Sequence, residues 1–247
     1  KPDTVEEARA NAPKVETPFK RFVSQYVESP LAVFAFILLL IIIGAAVFAP
    51  WIAPQNPYDL AQVSVLDARL PPGEQSMDGY TFLLGTDGAG RDLFSAILYG
   101  LRISLSVGVM SGVFALIIGM AVGLFAAYAG GRTETLLMRL VDLQLSLPAV
   151  LIALVLLALL GEGLDKIVIA LVVAQWAYFA RTVRSSALVE RGKEYVEAAA
   201  CVGLSHSRIM FGHILPNCLA PLIVVGTVQT ASAIALEATL SFLGVGL

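Results

Sequence analysis

Four side chains of metal-ligating type, Cys201, His206, His213 and Cys218, follow one another at steps of five, seven and five residues. Structural zinc sites take their ligands in closely spaced pairs, so this pattern predicts no metal centre. The glycine-rich run from Gly85 to Asp92 lacks the Gly-Lys-Ser/Thr ending that cradles a nucleotide phosphate, and it reads as a turn leading into an apolar segment. Neither histidine stands in a Ser-His-Asp context, so no catalytic residue is assigned. Two carboxylates remain. Asp142 lies three residues after Arg139, neighbouring positions on a helix, and either pairs locally with it or serves as a gate or partner contact at a membrane edge. Glu237 follows a long apolar run, where a carboxylate is costly unless it meets water or a polar partner; a water-filled path or an interhelix hydrogen bond is expected rather than lipid. With Ser146 and Pro148, these residues form the candidate gate or pathway set.

The elements that must position such groups are membrane spans. Of 247 residues, 57% are hydrophobic and 14% charged, and the mean hydropathy is +0.81. A soluble domain carries roughly a quarter charged residues, so a soluble enzyme is disfavoured. The net charge of -3 gives no footprint for nucleic acid, and two cysteines are too few for a disulfide framework. Residues 1–18, rich in charge and proline, read as a flexible tail. Residues 19–29 alternate Phe19, Phe22, Val23, Tyr26 and Val27 with polar residues and read as an interfacial amphipathic helix or as the solvated first turns of the span that follows. The first span is read over 30–53, an outer segment over 54–100, and a core over 101–247. Within the core, spans are expected at Ile103–Tyr128, Met138–Leu160, Ile167–Val183 and Pro216–Leu236. Pro148 would kink the span over Met138–Leu160. Ser104, Gly108, Gly112, Gly119 and Gly123 share a stripe of the second span, suited to close helix packing or to a translocation path.

Lysine and arginine set the direction. Twelve of the sixteen precede the first span or fall in the connections around Arg132 and Arg191, and four lie on the other side. By the positive-inside rule the N-terminus is cytoplasmic and 54–100 is external. Five spans then bring Leu247 to the outer side in an apolar, glycine-containing stretch, and a sixth span is expected beyond it.

The cytoplasmic loop over 184–215 is the most informative segment. Glu190–Val202 holds strong helix formers, Gly203 suits the left-handed residue that ends a helix, and the Ser205 hydroxyl can cap the next one. Pro216 can open the following span, since an early helical position needs no amide donor. Ala198, Ala199 and Ala200 give a smooth surface that a partner can approach, and Glu197 can accept hydrogen bonds.

These residues resemble the permease subunits of bacterial ATP-binding-cassette importers. The family signature, Glu-Ala-Ala, three residues, Gly, nine residues, Ile-x-Leu-Pro, reads here Glu197-Ala198-Ala199, Gly203, then His213-Ile214-Leu215-Pro216. His213 replaces the isoleucine, as in the peptide and nickel branch, and Ala200 stands where many relatives carry Arg. Leu84-Gly85-Thr86-Asp87 with Gly90-Arg91-Asp92, and the run Glu237 to Gly244, point the same way. The chain most resembles the C-type permease of dipeptide and oligopeptide importers.

The resemblance implies an all-α, polytopic helix bundle of the type I importer fold, with the loop docked on a separate ATPase. Tyr195, Val196, Glu197, Ala198, Ala199, Gly203, Ser205, His213, Leu215 and Pro216 are its implied coupling residues. It implies as partners a homologous second permease, two ATPase subunits that bind ATP and magnesium, a periplasmic solute-binding protein and the lipid bilayer of the bacterial inner membrane. This chain itself would hold no cofactor. Asp87, Arg91 and Asp92 are candidates for docking the binding protein. The cargo implied is a peptide, with nickel chelates, glutathione or another peptide-like solute as the alternative. A secondary transporter working without ATP would predict paired ionisable residues at mid-membrane, whereas the charges here gather at span ends. A structural anchor would leave the alanine-glycine loop unexplained.

Overall fold

The computed structural model describes residues 23–24, 26–76 and 79–245. The expected tail over 1–18 lies outside them, as do Phe19 to Phe22 of the interfacial stretch. The chain forms two compact units, divided after Leu98.

In the first unit, α1 spans Pro30–Val47. Ser29 sits at its N-cap, its hydroxyl accepting from the Ala32 amide at 3.4 Å, and Pro30 takes a position that needs no donor. Of α1 only Ala46 is buried. Side chains such as Phe34, Leu38 and Ile41 are exposed, as suits a helix whose solvent is lipid. A short α2, Ala49–Ile52, follows. Among the described residues the segment to Asp92 is loop, with one 3-10 turn at Val65–Asp67 and isolated bridges Gln75 to Thr81 and Thr86 to Asp92.

α3 runs over Leu93–Ala129, beginning ten residues before the span expected at Ile103. Asp92 causes the early start: its carboxylate accepts from the Phe94 and Ser95 amides at 3.4 and 2.9 Å and caps the first turn.

In the second unit α3 is joined by α4 (Gly131–Ser146), α5 (Ala149–Leu160), α6 (Leu164–Arg191), α7 (Glu194–Cys201), α8 (His206–Ile209) and α9 (Leu215–Phe242). Among the described residues four helices are long and apolar enough to cross a membrane, or five if the bent pair α4 and α5 counts as one span. The single kinked span expected over Met138–Leu160 is instead two helices meeting at 90°. Proline disfavours a helical residue before it, and both Leu147 (ψ 138) and Pro148 (ψ 126) are extended, so the helix breaks rather than bends.

The core gathers on α6, where Ile167, Leu171, Phe179 and Val183 are all but inaccessible and meet Leu124, Leu157 and Leu240. The glycine stripe of α3 is a packing seam. A methyl at Gly108 would lie 2.5 Å from Ile234 of α9, one at Gly119 2.4 Å from the Trp176 carbonyl of α6, and one at Gly123 2.3 Å from the Ala180 carbonyl. Small residues let backbones come this close. By these contacts α3 runs parallel to α6 and antiparallel to α9, so α3 and α6 end where α9 begins.

Candidate functional site

At that end the chain folds the loop named from its sequence. α6 continues to Arg191, eight residues past the expected end of its span, because no breaker occurs before Gly192. The helix expected unbroken over Glu190–Val202 is therefore split at Gly192-Lys193, and α7 starts at Glu194. It ends in a Schellman motif. Leu204 N–H bonds to Ala199 O at 3.2 Å and Gly203 N–H to Ala200 O at 3.0 Å, with Gly203 at φ 82, a conformation that a side chain would strain. Ser205 begins α8 from the extended N-cap conformation, but its hydroxyl makes no capping bond; the cap is positional only. A wide π turn at Met210–Ile214 then carries α8 into α9, with Pro216 in its first turn.

The two sides of α7 differ. Val196 and Ala199 are buried against the core, whereas Glu197, Ala198, Ala200 and Cys201 are exposed and Val202 is 81% exposed. Two polar clusters lie beside it, the first on α7 itself and the second between its neighbours. In the first, the buried Glu190 carboxylate accepts from Lys193 Nζ at 2.7 Å and Tyr195 Oη at 2.6 Å, and Asn217 Nδ2 of α9 reaches Tyr195 Oη at 3.1 Å and the His213 carbonyl at 2.7 Å. Burial, then the hydrogen bond and charge of Glu190, push the Tyr195 phenol up to about 12. In the second, Arg191 donates to the carbonyls of Ala127 and Tyr128 at 2.8 and 3.2 Å, placing its charge at the negative end of α3. The guanidinium lies 5.9 Å from the Tyr128 ring centre, and Tyr128 Oη meets His206 Nδ1. The ends of α3, α6 and α9 thus converge on α7. His213 contributes its carbonyl to this junction, and Leu215 packs on the core beside the buried Ile214.

The gate candidates separate. Asp142 pairs with Arg181 of α6 at 2.5 Å, not with Arg139, which is exposed and makes no ion pair among the described residues. Val141 is buried against α6 and fixes the rotation of α4; Arg139 then lies about 160° around the helix from Val141, facing away. A second bridge, Arg184 to Glu134, parallels the first. Ser146 Oγ bonds to the Leu143 carbonyl at 2.7 Å and Pro148 caps α5 at the bend. Glu237, 5% exposed, accepts from Ser104 Oγ of α3 at 2.9 Å and from Ser241 Oγ at 3.0 Å, an interhelix hydrogen bond.

In the first unit Asp87 and Asp92 serve their own loop. Asp87 accepts from the Ala89 and Arg91 amides at 2.8 and 2.9 Å and from Arg91 Nε at 2.8 Å. Partial burial pushes its carboxyl up, but these bonds and the Arg91 charge outweigh that and hold it below the usual range. Asp92 is 1% exposed, which leaves Arg91 as the member of this trio with a half-exposed side chain.

Gln175, Tyr178, Gln229 and Ser232 are not among the residues singled out by the sequence pattern. They line a groove of about 370 Å³ between α6 and α9, and Tyr178 and Gln229 also border a neighbouring one of about 480 Å³ beside Arg181. Uncharged amides in otherwise apolar runs are the signal that could have found them.

Residues 119–247, more than half the chain, match the family described as binding-protein-dependent transport system inner membrane component. Residues 17–72 match the N-terminal TM domain of oligopeptide transport permease C. The di/tripeptide transport system permease protein DppC of Pseudomonas aeruginosa (strain UCBPP-PA14) is 39% identical over 93% of this chain and 75% of its own length. A putative peptide transport system permease protein of Brucella suis biovar 1 (strain 1330) is 46% identical over 85% and 68%, and the dipeptide transport system permease protein DppC of Escherichia coli (strain K12) 39% over 96% and 78%. A bundle of apolar helices whose ends meet at an exposed Glu-Ala-Ala helix fits these matches. The chain belongs to the binding-protein-dependent transport system inner membrane components, as a multi-pass C-type permease subunit of the ATP-binding-cassette importers.

Proposed function

We propose that this permease imports di- or oligopeptides from periplasm to cytoplasm by alternating access, paired with a homologous permease and driven by two ATPase subunits that bind ATP and magnesium. Its N-terminus and the α7 loop lie on the cytoplasmic side, and the 54–100 segment with Arg91 meets the solute-binding protein outside. The observation that carries the reading is the junction at α7. Its outer face offers Glu197 and Ala198 to a partner, while Tyr195 ties it to Glu190 of α6 and Asn217 of α9, and Arg191 beside it ties α6 to α3. ATP-driven movement of the docked subunits is thereby passed to helices that have two arrangements. The cargo follows from the peptide permeases named among the relatives.

The test is purification of the complex in mild detergent, identification of its subunits, and ATPase measurement with and without peptide-loaded binding protein. Recovery with a second permease and ATPase subunits, with stimulation by the loaded binding protein, is expected. Recovery alone, with uptake driven by protons or ions, would overturn the reading.

A further inference from the structure

Two ion pairs tie α4 to α6, and they differ in kind. Arg184 closes on Glu134 through both Nε and Nη2, and the Glu134 side chain is only 19% exposed. Arg181 meets Asp142 through Nη2 alone, at 2.5 Å, and both side chains are 54% exposed. A guanidinium carries five N–H donors, so among the described residues Nε and Nη1 of Arg181 are uncommitted. A pair as open as this adds little to stability. The first pair is a strut, whereas the second leaves a reachable cation with donors to spare.

Arg181 also lines the groove of about 480 Å³ whose walls include Leu145 of α4, Tyr178 of α6, and Val224, Val228 and Gln229 of α9. Among the described residues it is the one charged group of that wall, and Asp142 stands outside it. The cation lies about 15 Å short of the end of α6 at Arg191, within the helix rather than at its tip. An ionisable side chain at such a position faces the bundle interior or a water-filled cavity, and marks a solute path, because lipid would not tolerate it. A groove that is uncharged but for one accessible guanidinium is complementary to a single negative charge, and the planar fork of donors matches a carboxylate.

We infer that this groove is a station on the solute path, where Arg181 takes the terminal carboxylate of a passing peptide and Asp142 holds the guanidinium while the groove is empty. The inference rests on the reading of this chain as a peptide importer. Every peptide with a free C-terminus carries that carboxylate, whatever its side chains. One carboxylate is exchanged for another on the same cation, so Arg181 is not left unpaired at bilayer depth, and Asp142 competes the solute off again. A path needs binding strong enough to admit its solute and weak enough to release it.

The test uses the assembled transporter in proteoliposomes with its binding protein and ATP, and two labelled probes: trialanine, and trialanine amide, whose C-terminus is uncharged. Both are supplied with binding protein that direct titration shows to be saturated. Wild type is expected to import trialanine about tenfold faster than the amide, the scale of one lost charge-assisted hydrogen bond. Arg181→Gln, whose assembly is checked by recovery of the second permease and the ATPase subunits, should import both at the slower rate. Asp142→Asn breaks the same pair but leaves the cation in the groove, and should keep the preference for trialanine. The double exchange Arg181→Asp with Asp142→Arg rebuilds the pair but takes the cation off the wall, and should import trialanine as slowly as Arg181→Gln. If the amide does not load the binding protein, the trialanine rates of these variants decide the matter. Equal import of the two probes by wild type, trialanine import restored by the double exchange, or equal losses in Arg181→Gln and Asp142→Asn would overturn the inference and leave the importer reading standing. Recovery of Arg181→Gln without the second permease would make Arg181 a subunit contact and overturn it too. Absence of ATP-dependent uptake of trialanine by wild type would overturn both.

Discussion

Replacing Gly123 by alanine should loosen the contact between α3 and α6. The added methyl would lie 2.3 Å from the Ala180 carbonyl oxygen and 2.9 Å from Val183 Cβ. A carbon rests against a carbonyl oxygen at about 3.3 Å, so the helices must part locally by about 1 Å. The obstructing atom is backbone and cannot rotate away, unlike the Ile234 side chain facing Gly108. Overpacking costs about 1–3 kcal/mol, and a loss near the middle of that range lowers the melting temperature of a chain this size by about 4–8 °C. Gly100, in the same helix, has open space where a methyl would go, with nothing within 4 Å, and serves as the internal control. There alanine should be neutral or slightly stabilising through helix propensity. Thermal unfolding of the two purified variants in the same mild detergent measures the difference, with tryptophan fluorescence as one readout because Trp176 packs at this seam. A Gly123→Ala protein that melts with or above Gly100→Ala would refute the account of the glycine stripe as a packing seam.

Glu197→Lys alters an exposed face of α7 and Gly203→Pro removes both the positive φ and the amide bonded to Ala200; both variants should reach the membrane at normal levels yet fail to couple ATP hydrolysis to uptake, and normal substrate-stimulated ATPase with normal uptake would count against the coupling assignment. The Tyr195 phenol, raised to about 12, should be absent from the tyrosine step near pH 10 in an ultraviolet titration and appear above it, a component that Tyr195→Phe removes. Because the neutral phenol is the favoured form, its contribution to stability is complete below about pH 10 and is lost as pH rises towards 12. The lowered carboxyl of Asp87 has the opposite sign: its contribution is complete above the ordinary carboxylate range and is lost as pH falls below about 4, so the protection of the Ala89 and Arg91 amides, measured against their intrinsic exchange rates, should fall in acid, and Asp87→Asn should flatten that dependence.

Local signals in the sequence carried much of this architecture. Pro216, Gly203 and the alanine run lie in a short window where backbone demands are nearly independent of the rest of the chain, so the break after α7 and the start of α9 could be read directly. Long apolar runs likewise fixed the presence of the spans. What depended on helix rotation could not be read so. Asp142 has Arg139 as its neighbour in sequence, but the burial of Val141 turns it towards Arg181. Leu147 and Pro148 turn what would be one kinked span into two helices, because both adopt extended backbone and no interior hydrogen bond bridges them. Gln175 and Gln229 stand fifty-four residues apart and acquire meaning only when α6 and α9 come together.

The junction at α7 has a counterpart at the far end of the bundle. α3 is tied near the loop to α8, which runs on through the π turn into α9, by Tyr128 and His206, and again about 36 Å further along to α9 itself, where Ser104 holds Glu237. Two antiparallel struts pinned at both ends make a closed frame, and such a frame resists sliding of one member along the other. A displacement applied at α7 therefore favours tilting the pair as a unit, with the pins as pivots, so that a small movement at one end of the lever is returned at the opposite end with its direction reversed.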